Sequence, residues 1–250
     1  MKVLVLGGEG MLGHKVFEVL SRRFDTFATF LDPTGLWREF PQYVGLPDTR
    51  LLGGVDALRF DSVAGAVDRV RPDALVNCVG IIKQLKEASD PILTITLNSL
   101  LPHRLARLCA ERGCRLVHVS TDCVFSGRTG PYTEDDVPDP VDLYGRSKLL
   151  GEVDRPDCLT IRTSIIGRDF LKQGAFLEWF LSNRGGKVRG FRNAIYSGFP
   201  TQVLARIVGD VLGDHPRLSG LMQVASAPIS KYELMTMLKD AMGLDIEIEP

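Results

Sequence analysis

The chain of 250 residues has no apolar run long enough to cross a bilayer, because its hydrophobic stretches are strand-sized and broken by Gly or charge. No secretory signal is expected either. The opening run Met1-Lys2-Val3-Leu4-Val5-Leu6 passes straight into glycines, and the expectation is a cytoplasmic protein. There is no excess of charge: 30 Lys and Arg stand against 31 Asp and Glu, a formal net of −1, so neither nucleic acid nor an acidic membrane is implied as a partner. Cysteine is scarce. The five, at 78, 109, 114, 123 and 158, include no CxxC and no Cys/His ligand spacing. Free thiols, no disulfide framework and no metal are expected, with Cys78 and Cys158 in or beside buried strands. His14, His103, His118 and His215 lack metal spacing as well, and His118 is expected to pack within a strand. Repeats and low-complexity tracts are absent.

What is present is an alternation of strand-length and helix-length segments. Strands are predicted at Val3–Leu6, Thr26–Leu31, Ala57–Phe60, Ala74–Val79, Arg115–Ser120 and Leu159–Arg162. Helices are predicted at Met11–Ser21, Val63–Val70, Leu97–Arg112 and Leu143–Glu152. The pattern predicts an α/β fold, a Rossmann-type doubly wound parallel sheet with helices on both faces. Two long connections, Asp32–Val55 and Thr121–Pro140, break the rhythm, and loops of that length tend to be functional. After Gly167 come helices at Ala175–Asn183 and Thr201–Leu212, a strand at Leu221–Ala225 and a helix at Lys231–Met242. The division expected is a nucleotide-binding core over residues 1–166 and a small C-terminal substrate lobe over residues 167–250, interleaved with the core.

Gly7-Gly8-Glu9-Gly10-Met11-Leu12-Gly13 joins the first strand to the first helix. A loop that turns sharply and brings backbone N–H groups against a pyrophosphate at a helix N-terminus leaves no room for Cβ atoms. Such a loop predicts NAD or NADP. An acid at the end of the second strand would take the adenosine ribose 2′-hydroxyl. Asp32 stands there, and it reads equally as the starter of an Asp-Pro turn with Pro33. No cation occupies positions 30–33, and Arg38 is the nearest that could receive a 2′-phosphate, so the reading leans to NAD.

Tyr144-Gly145-Arg146-Ser147-Lys148 puts a phenol and an ammonium four residues apart, on one face of a helix. A tyrosine titrates near 10, and a neighbouring cation favours its ionised form, which suits proton transfer. Ser120-Thr121-Asp122 follows the fifth strand.

With the segments GGEGMLGHK, RPDALVNCVG, VHVSTDCVFSG, PYTEDD, VDLYGRSKLLGE, IRTS and SGFPT in that order, the chain resembles the extended short-chain dehydrogenase/reductases. Within them it is most similar to the dTDP-4-dehydrorhamnose reductase-like branch. The resemblance implies an NAD(P)-dependent oxidoreductase acting on a nucleotide-sugar, in the making of cell-surface polysaccharide precursors. Thr121 would bind the substrate oxygen, Tyr144 would act as general acid, and Lys148 would hold the nicotinamide ribose and lower the tyrosine pKa. Gly7, Gly10, Met11, Leu12, Gly13, Asp32, Asp61, Asn77, Cys78 and Val79 would line the cofactor. Lys83, Asp122, Cys123, Ile165, Pro200 and Thr201 would border the substrate, and a homodimer is implied.

Cys123 and Ile165 depart from the branch, which carries Tyr and Trp at those places, and two aromatic walls of the sugar pocket are therefore missing. The chain also ends at Pro250, where relatives continue. Lys83 and Lys86 read either as cations for a diphosphate or as a solvated loop. Asn98 reads either as an active-site amide or as a helix-surface one. Trp179, with Phe176 and Phe180, reads as core or dimer surface. Two rivals stay open: an epimerase or dehydratase on the same fold, and a regulatory subunit that binds the cofactor without catalysis, as in the methionine adenosyltransferase member of this branch.

Overall fold

The computed structural model describes residues 1–83, 86–169 and 175–250, and the backbone alone of Asp48, Lys86 and Glu87. Its first half runs β1 (Lys2–Leu6), α1 (Gly13–Leu20), β2 (Asp25–Thr29), β3 (Leu51–Leu52), α2 (Phe60–Val70), β4 (Ala74–Asn77), α3 (Pro91–Ile95), α4 (Leu101–Arg112) and β5 (Arg115–Val119). There follow α5 (Leu143–Leu150), β6 (Cys158–Arg162), β7 (Ile165–Ile166), α6 (Phe176–Ser182), β8 (Lys187–Arg189), β9 (Ile195–Tyr196) and β10 (Phe199–Pro200). The chain closes with α7 (Thr201–Gly213), β11 (Gly220–Gln223), β12 (Ile229–Ser230), α8 (Lys231–Met242) and β13 (Glu247–Glu249).

One seven-stranded sheet, all parallel, has the order β3-β2-β1-β4-β5-β6-β11. The chain winds outward from β1 to β3, returns across α2, and winds out again from β4. The strand order therefore reverses between β1 and β4, the place where open α/β sheets bind ligands. The fold is the Rossmann type expected from the alternation of segments.

Apolar residues recurring at helical spacing cover both faces. On one face Val16, Phe17 and Leu20 of α1 meet Leu204, Ala205, Val208 and Leu212 of α7. On the other, Val63 and Val67 of α2 and Leu101, Leu105 and Leu108 of α4 cover Leu4, Leu75 and Leu116. A separate cluster of Phe180, Val188, Met235, Leu244 and Ile246 ties α6, β8 and α8 together. Thus α7 and β11 belong to the core layers, while α6, β8, α8 and β13 gather around their own small centre.

The third strand is not where the apolar run Ala57–Phe60 placed it. Leu51 and Leu52 pair with Ala28 and Thr29 instead. Asp56 turns the chain: its carboxylate accepts from Leu58 N at 2.9 Å and its carbonyl from Arg59 N at 3.0 Å, which starts α2 at Phe60. Asp61, expected just after a strand, is consequently an exposed residue of the first turn of α2.

The long connection after β2 folds back as an aromatic plug. Trp37 stacks on Phe30 at 3.9 Å between centroids, and Tyr43 meets Phe30 edge-on at 5.0 Å. The buried Tyr43 hydroxyl donates to the Gly8 carbonyl at 2.7 Å, so the plug is bonded to the glycine loop itself. Tyr43→Phe leaves that carbonyl buried without its donor, at an expected cost of about 1–3 kcal/mol. For a chain of this size, a thermal melt should register a fall of roughly 2–4 °C per kcal/mol. An unchanged melting temperature would show that the bond contributes nothing.

Candidate active site

Four strand ends open on one cleft of about 640 Å³. The segment after β1 contributes Gly10, Met11 and Leu12, and that after β4 contributes Asn77 to Lys83. The segment after β5 adds Ser120 to Cys123, and that after β6 adds Thr163 to Gly167. Tyr144 and Lys148 of α5 form a wall, and Phe176, Trp179, Tyr196 and Lys231 from beyond the core close the far end.

The glycine loop is tight for a reason visible in its atoms. Gly7 sits at φ 81°, a left-handed conformation, and a Cβ on Gly13 would overlap the Gly7 carbonyl oxygen. Gly7 and Gly13 therefore shape the loop, while Gly10, Met11 and Leu12 face the cleft. Among the described residues, the backbone N–H groups of Met11 and Leu12, at the start of α1, donate to no protein acceptor. Unsatisfied donors at a helix start are what a pyrophosphate binds.

Tyr144 and Lys148 are held by the start of α5. Asp142 caps that helix, accepting from Gly145 N at 2.8 Å. Lys148 is buried and donates to the Val119 carbonyl at 2.7 Å. Burial lowers its pKa to about 8, while Glu152 and Cys78 oppose the fall. Tyr144 does not show the lowered pKa that a lysine neighbour was expected to give. Burial pushes the phenol up, contact with the Thr121 hydroxyl pulls the other way, and the acidic groups at Asp122 and Asp142 add to the rise. Desolvation dominates at the tyrosine, and Lys148 is not among the causes of its shift. The buried Thr121 hydroxyl accepts from Cys123 N at 3.1 Å and meets the Asp122 carboxylate at 3.3 Å.

Asn98 is an interior clamp and not a helix-surface amide. It lies in a single turn of π-helix, Thr96–Leu100, between α3 and α4. Its oxygen accepts from Ile81 N at 2.8 Å, and its amide donates to the Ile81 carbonyl at 3.0 Å and to Ser147 Oγ at 3.1 Å. The segment after β4 is thereby locked to α5. Beneath Ser120, the buried pair Arg162–Glu152 is bidentate, with both contacts at 2.8 Å, and Glu152 also accepts from Ser120 Oγ at 2.9 Å.

The structure brings Thr121, Tyr144, Lys148, Asn77, Cys78, Val79, Lys83, Asp122, Cys123 and Ile165 to the cleft, and leaves others away from it. Asp32 is engaged by its own loop: its carboxylate accepts from the N–H groups of Thr34, Gly35 and Leu36 and from the Thr34 hydroxyl, which makes it a turn starter. Asp61 is away from the cleft because the third strand ends early. Pro200 precedes α7, and Thr201 is buried against Gly167, supporting the cleft wall from behind. The side chain of Lys86 lies outside the described residues. Trp179, expected as core or dimer surface, is exposed and lines the cleft, while its neighbour Phe180 is the one buried in the core. Tyr196 escaped the sequence reading. Its phenol, raised to about 12 by burial, stands in the cleft near Asp122, and a tyrosine on a two-residue strand carries no pattern to flag it. Among the described residues no three His, Cys, Asp or Glu side chains could hold a metal, and no helix is long and apolar enough to cross a membrane.

Comparison with known proteins agrees with this geometry. The family model described as "RmlD substrate binding domain" matches residues 1–239. The "Probable low-salt glycan biosynthesis reductase Agl14" of Haloferax volcanii is 36% identical over 171 residues, 66% of this chain and 54% of that protein. The methionine adenosyltransferase 2 subunit beta of Danio rerio is 32% identical over 262 residues, 97% of this chain and 74% of that one. A crystal structure of a hypothetical dTDP-4-dehydrorhamnose reductase from Sulfolobus tokodaii superposes with a TM-score of 0.80 at 26% identity, covering 100% of this chain and 85% of the other. The chain spans about half the length, or less, of the first curated relatives it matches.

Behind the cleft, His118 of β5 accepts at Nδ1 from the Asn77 amide at 3.1 Å, and Asn77 Oδ1 in turn accepts from Val79 N at 3.1 Å. The proton of the neutral ring is then on Nε2, which is buried and has no partner among the described residues. Burial, then Lys148 and His103, hold the His118 pKa well below 6.5. Below about pH 6.5 the unfolded chain binds a proton that the folded one refuses, so this contribution to stability is complete above that pH and is lost as the pH falls. His118→Gln should flatten the acid limb by up to about 1.4 kcal/mol per pH unit between pH 6.5 and 5. Denaturant titrations at several pH values read this slope, and equal slopes in the two proteins would contradict the assignment.

Proposed function

The chain belongs to the RmlD substrate binding domain family, and on that basis we propose that it reduces a keto group on a nucleotide-activated deoxysugar, with a nicotinamide coenzyme as reductant. The observation that carries this reading is the convergence of Thr121, Tyr144 and Lys148 with the glycine loop on one cleft. The residues present fit the coenzyme: the loop is closed to any Cβ at Gly13, and the Met11 and Leu12 N–H groups are free to bind a pyrophosphate. Asn77, Cys78 and Val79 would flank the coenzyme, and Lys148 would hold its nicotinamide ribose. When bound, the coenzyme supplies the hydride.

The protein's own part is proton supply and charge stabilisation. The Tyr144 phenol is protonated at neutral pH and would donate to the oxygen of a carbonyl undergoing reduction; burial raises its pKa, which weakens it as an acid, and the cationic nicotinamide ring would offset that rise. The Thr121 hydroxyl is the second donor to that oxygen. Asn98 and the capped start of α5 hold the two donors against the segment after β4. Lys83 and Lys231 line the cleft as cations suited to a diphosphate, and the exposed Trp179 ring offers a face for an apolar part of the substrate.

Cys123 and Ile165, a thiol and a branched aliphatic, widen the sugar end relative to aromatic walls. The substrate expected is a bulky sugar, such as a UDP-linked 2-acetamido-2,6-dideoxy-4-hexulose, ahead of dTDP-4-dehydrorhamnose. The same replacement argues against dehydration, where the residue after Asp122 would be an acid.

One observation favours a second reading. The match to a protein named methionine adenosyltransferase 2 subunit beta covers 97% of this chain, which supports a regulatory subunit that binds the coenzyme without catalysis. Turnover separates the two. The wild-type protein should oxidise NADH or NADPH with the acetamido sugar at a higher kcat/KM than with dehydrorhamnose. Tyr144→Phe should lower kcat roughly 100- to 10,000-fold with coenzyme Kd unchanged, while Lys148→Ala should harm both. Wild-type rates in Tyr144→Phe would overturn the catalytic assignment, and a protein that binds coenzyme but reduces neither sugar would favour the regulatory reading.

A further inference from the structure

Beneath the reaction centre lies a buried cluster of charge that the proton chemistry above does not use. Lys148 is buried, and its ammonium donates to the Val119 carbonyl at 2.7 Å. A charged group taken out of water needs compensation, and one neutral carbonyl is little for an ammonium with three donors. The groups that face Lys148 come from three elements. Cys78, after β4, is a thiol that burial pushes up to about 12, so it is uncharged where Lys148 titrates. His118, on β5, is held neutral by burial. On the helix of Lys148 itself stand the protonated Tyr144 and, one turn beyond Lys148, Glu152. Among these groups Glu152 is the anion.

Glu152 is fixed from several sides. The helical winding continues past α5, with Glu152 N donating to the Leu149 carbonyl at 3.2 Å, so Tyr144, Lys148 and Glu152 follow one another at successive turns. The Glu152 side chain is 8% exposed. It accepts from Arg162 Nε and Nη2 on β6, both at 2.8 Å, and from the Ser120 hydroxyl at 2.9 Å. We propose that Glu152 is a positioning residue for the reduction: a fixed counter-charge that keeps the buried Lys148 side chain an ammonium able to donate to the ribose hydroxyls of the coenzyme. A carboxylate bonded directly to Lys148 would take the donors that the ribose needs. Locked by Arg162 and Ser120 instead, Glu152 acts through space, in surroundings where water screens little. Glu152 is the first of the groups that favour the charged lysine, and Arg162 is not among the causes of the Lys148 shift.

This inference rests on the reading of Lys148 as the lysine that holds the ribose, and its test needs no turnover. In protein labelled with 13C-lysine, the pH titration of the Lys148 ε-carbon resonance, assigned by its absence from Lys148→Met, is followed in the wild-type protein, Glu152→Asp and Glu152→Gln. A counter-charge holds the pKa of an ammonium above the value that burial alone would set, so removing it lowers that pKa. The wild-type lysine should titrate near 8. Glu152→Gln should titrate about one pH unit or more below it, and Glu152→Asp, which keeps the charge, within about half a unit of it. A residue that only braces the fold would move neither titration or both alike, and either result overturns the proposal. Because Glu152→Gln strands the buried Arg162 guanidinium, Glu152→Gln/Arg162→Gln is measured beside it and should show the same fall. A wild-type titration in that double variant also overturns the proposal. Kd for NADH, read by nicotinamide fluorescence across the same pH range, separates the two readings. Affinity should weaken on the alkaline side at the Lys148 pKa and shift with it in Glu152→Gln. Affinity indifferent to the Lys148 titration overturns the ribose role, while the resonance alone decides the counter-charge.

Discussion

Three hydrogen bonds from one buried amide hold the working parts of this molecule in register. Asn98 takes both backbone groups of Ile81 and the hydroxyl of Ser147, and so joins the segment leaving β4 to the helix that carries Tyr144 and Lys148. A buried amide with all of these bonds made is stable only in this arrangement, because breaking any one strands a polar group away from water. The π-helical turn Thr96–Leu100 aims the amide inward, and such turns recur at functional positions. Gly151 completes the fit, since a Cβ there would overlap the Asn98 carbonyl. The position of the tyrosine over the cleft depends on this joint more than on its own helix, which is only eight residues long.

Electrostatics around the joint follow from burial. Lys148 gives its ammonium to Val119, and its pKa falls to about 8; Tyr144 is pushed the other way, toward a firmly protonated phenol. Both shifts have the same cause, since burial disfavours the charged form of each group. The Arg162–Glu152 pair below is buried on both sides and anchors Ser120, so the end of β5 is fixed independently of the cleft. Removing one partner of such a pair costs about 3–5 kcal/mol, against at most about 1 for an exposed pair such as Arg23–Asp210.

The parallel sheet and most helices were legible because apolar periodicity is a local signal, and Lys231–Met242 matches its predicted bounds, whereas Pro91–Ile95 and the π-turn Thr96–Leu100 ahead of the long helix were not. The third strand was not, since its two residues owe their pairing to β2 and not to any pattern of their own, while Ala57–Phe60 has the composition of a strand and the turn chemistry of Asp56. Chemistry-bearing spacings such as Tyr144 to Lys148 were readable because four residues on a helix fix a face. Asp32 shows the limit. Sequence position gave two readings, and the donors from Thr34, Gly35 and Leu36 show the turn, which no local pattern distinguished from the other. Tyr196 and Trp179 were not placed at the cleft from sequence because only long-range folding brings them to it.

The central claim is that hydride reaches a sugar carbonyl in this cleft while Tyr144 supplies the proton. The most direct measurement uses NADH carrying deuterium at both positions of nicotinamide C4, incubated with the protein and a UDP-linked 2-acetamido-4-hexulose, with the product read by mass spectrometry and NMR. The account predicts one deuterium on the former carbonyl carbon of every product molecule. Coenzyme left unoxidised, or a product without deuterium at that carbon, would contradict it.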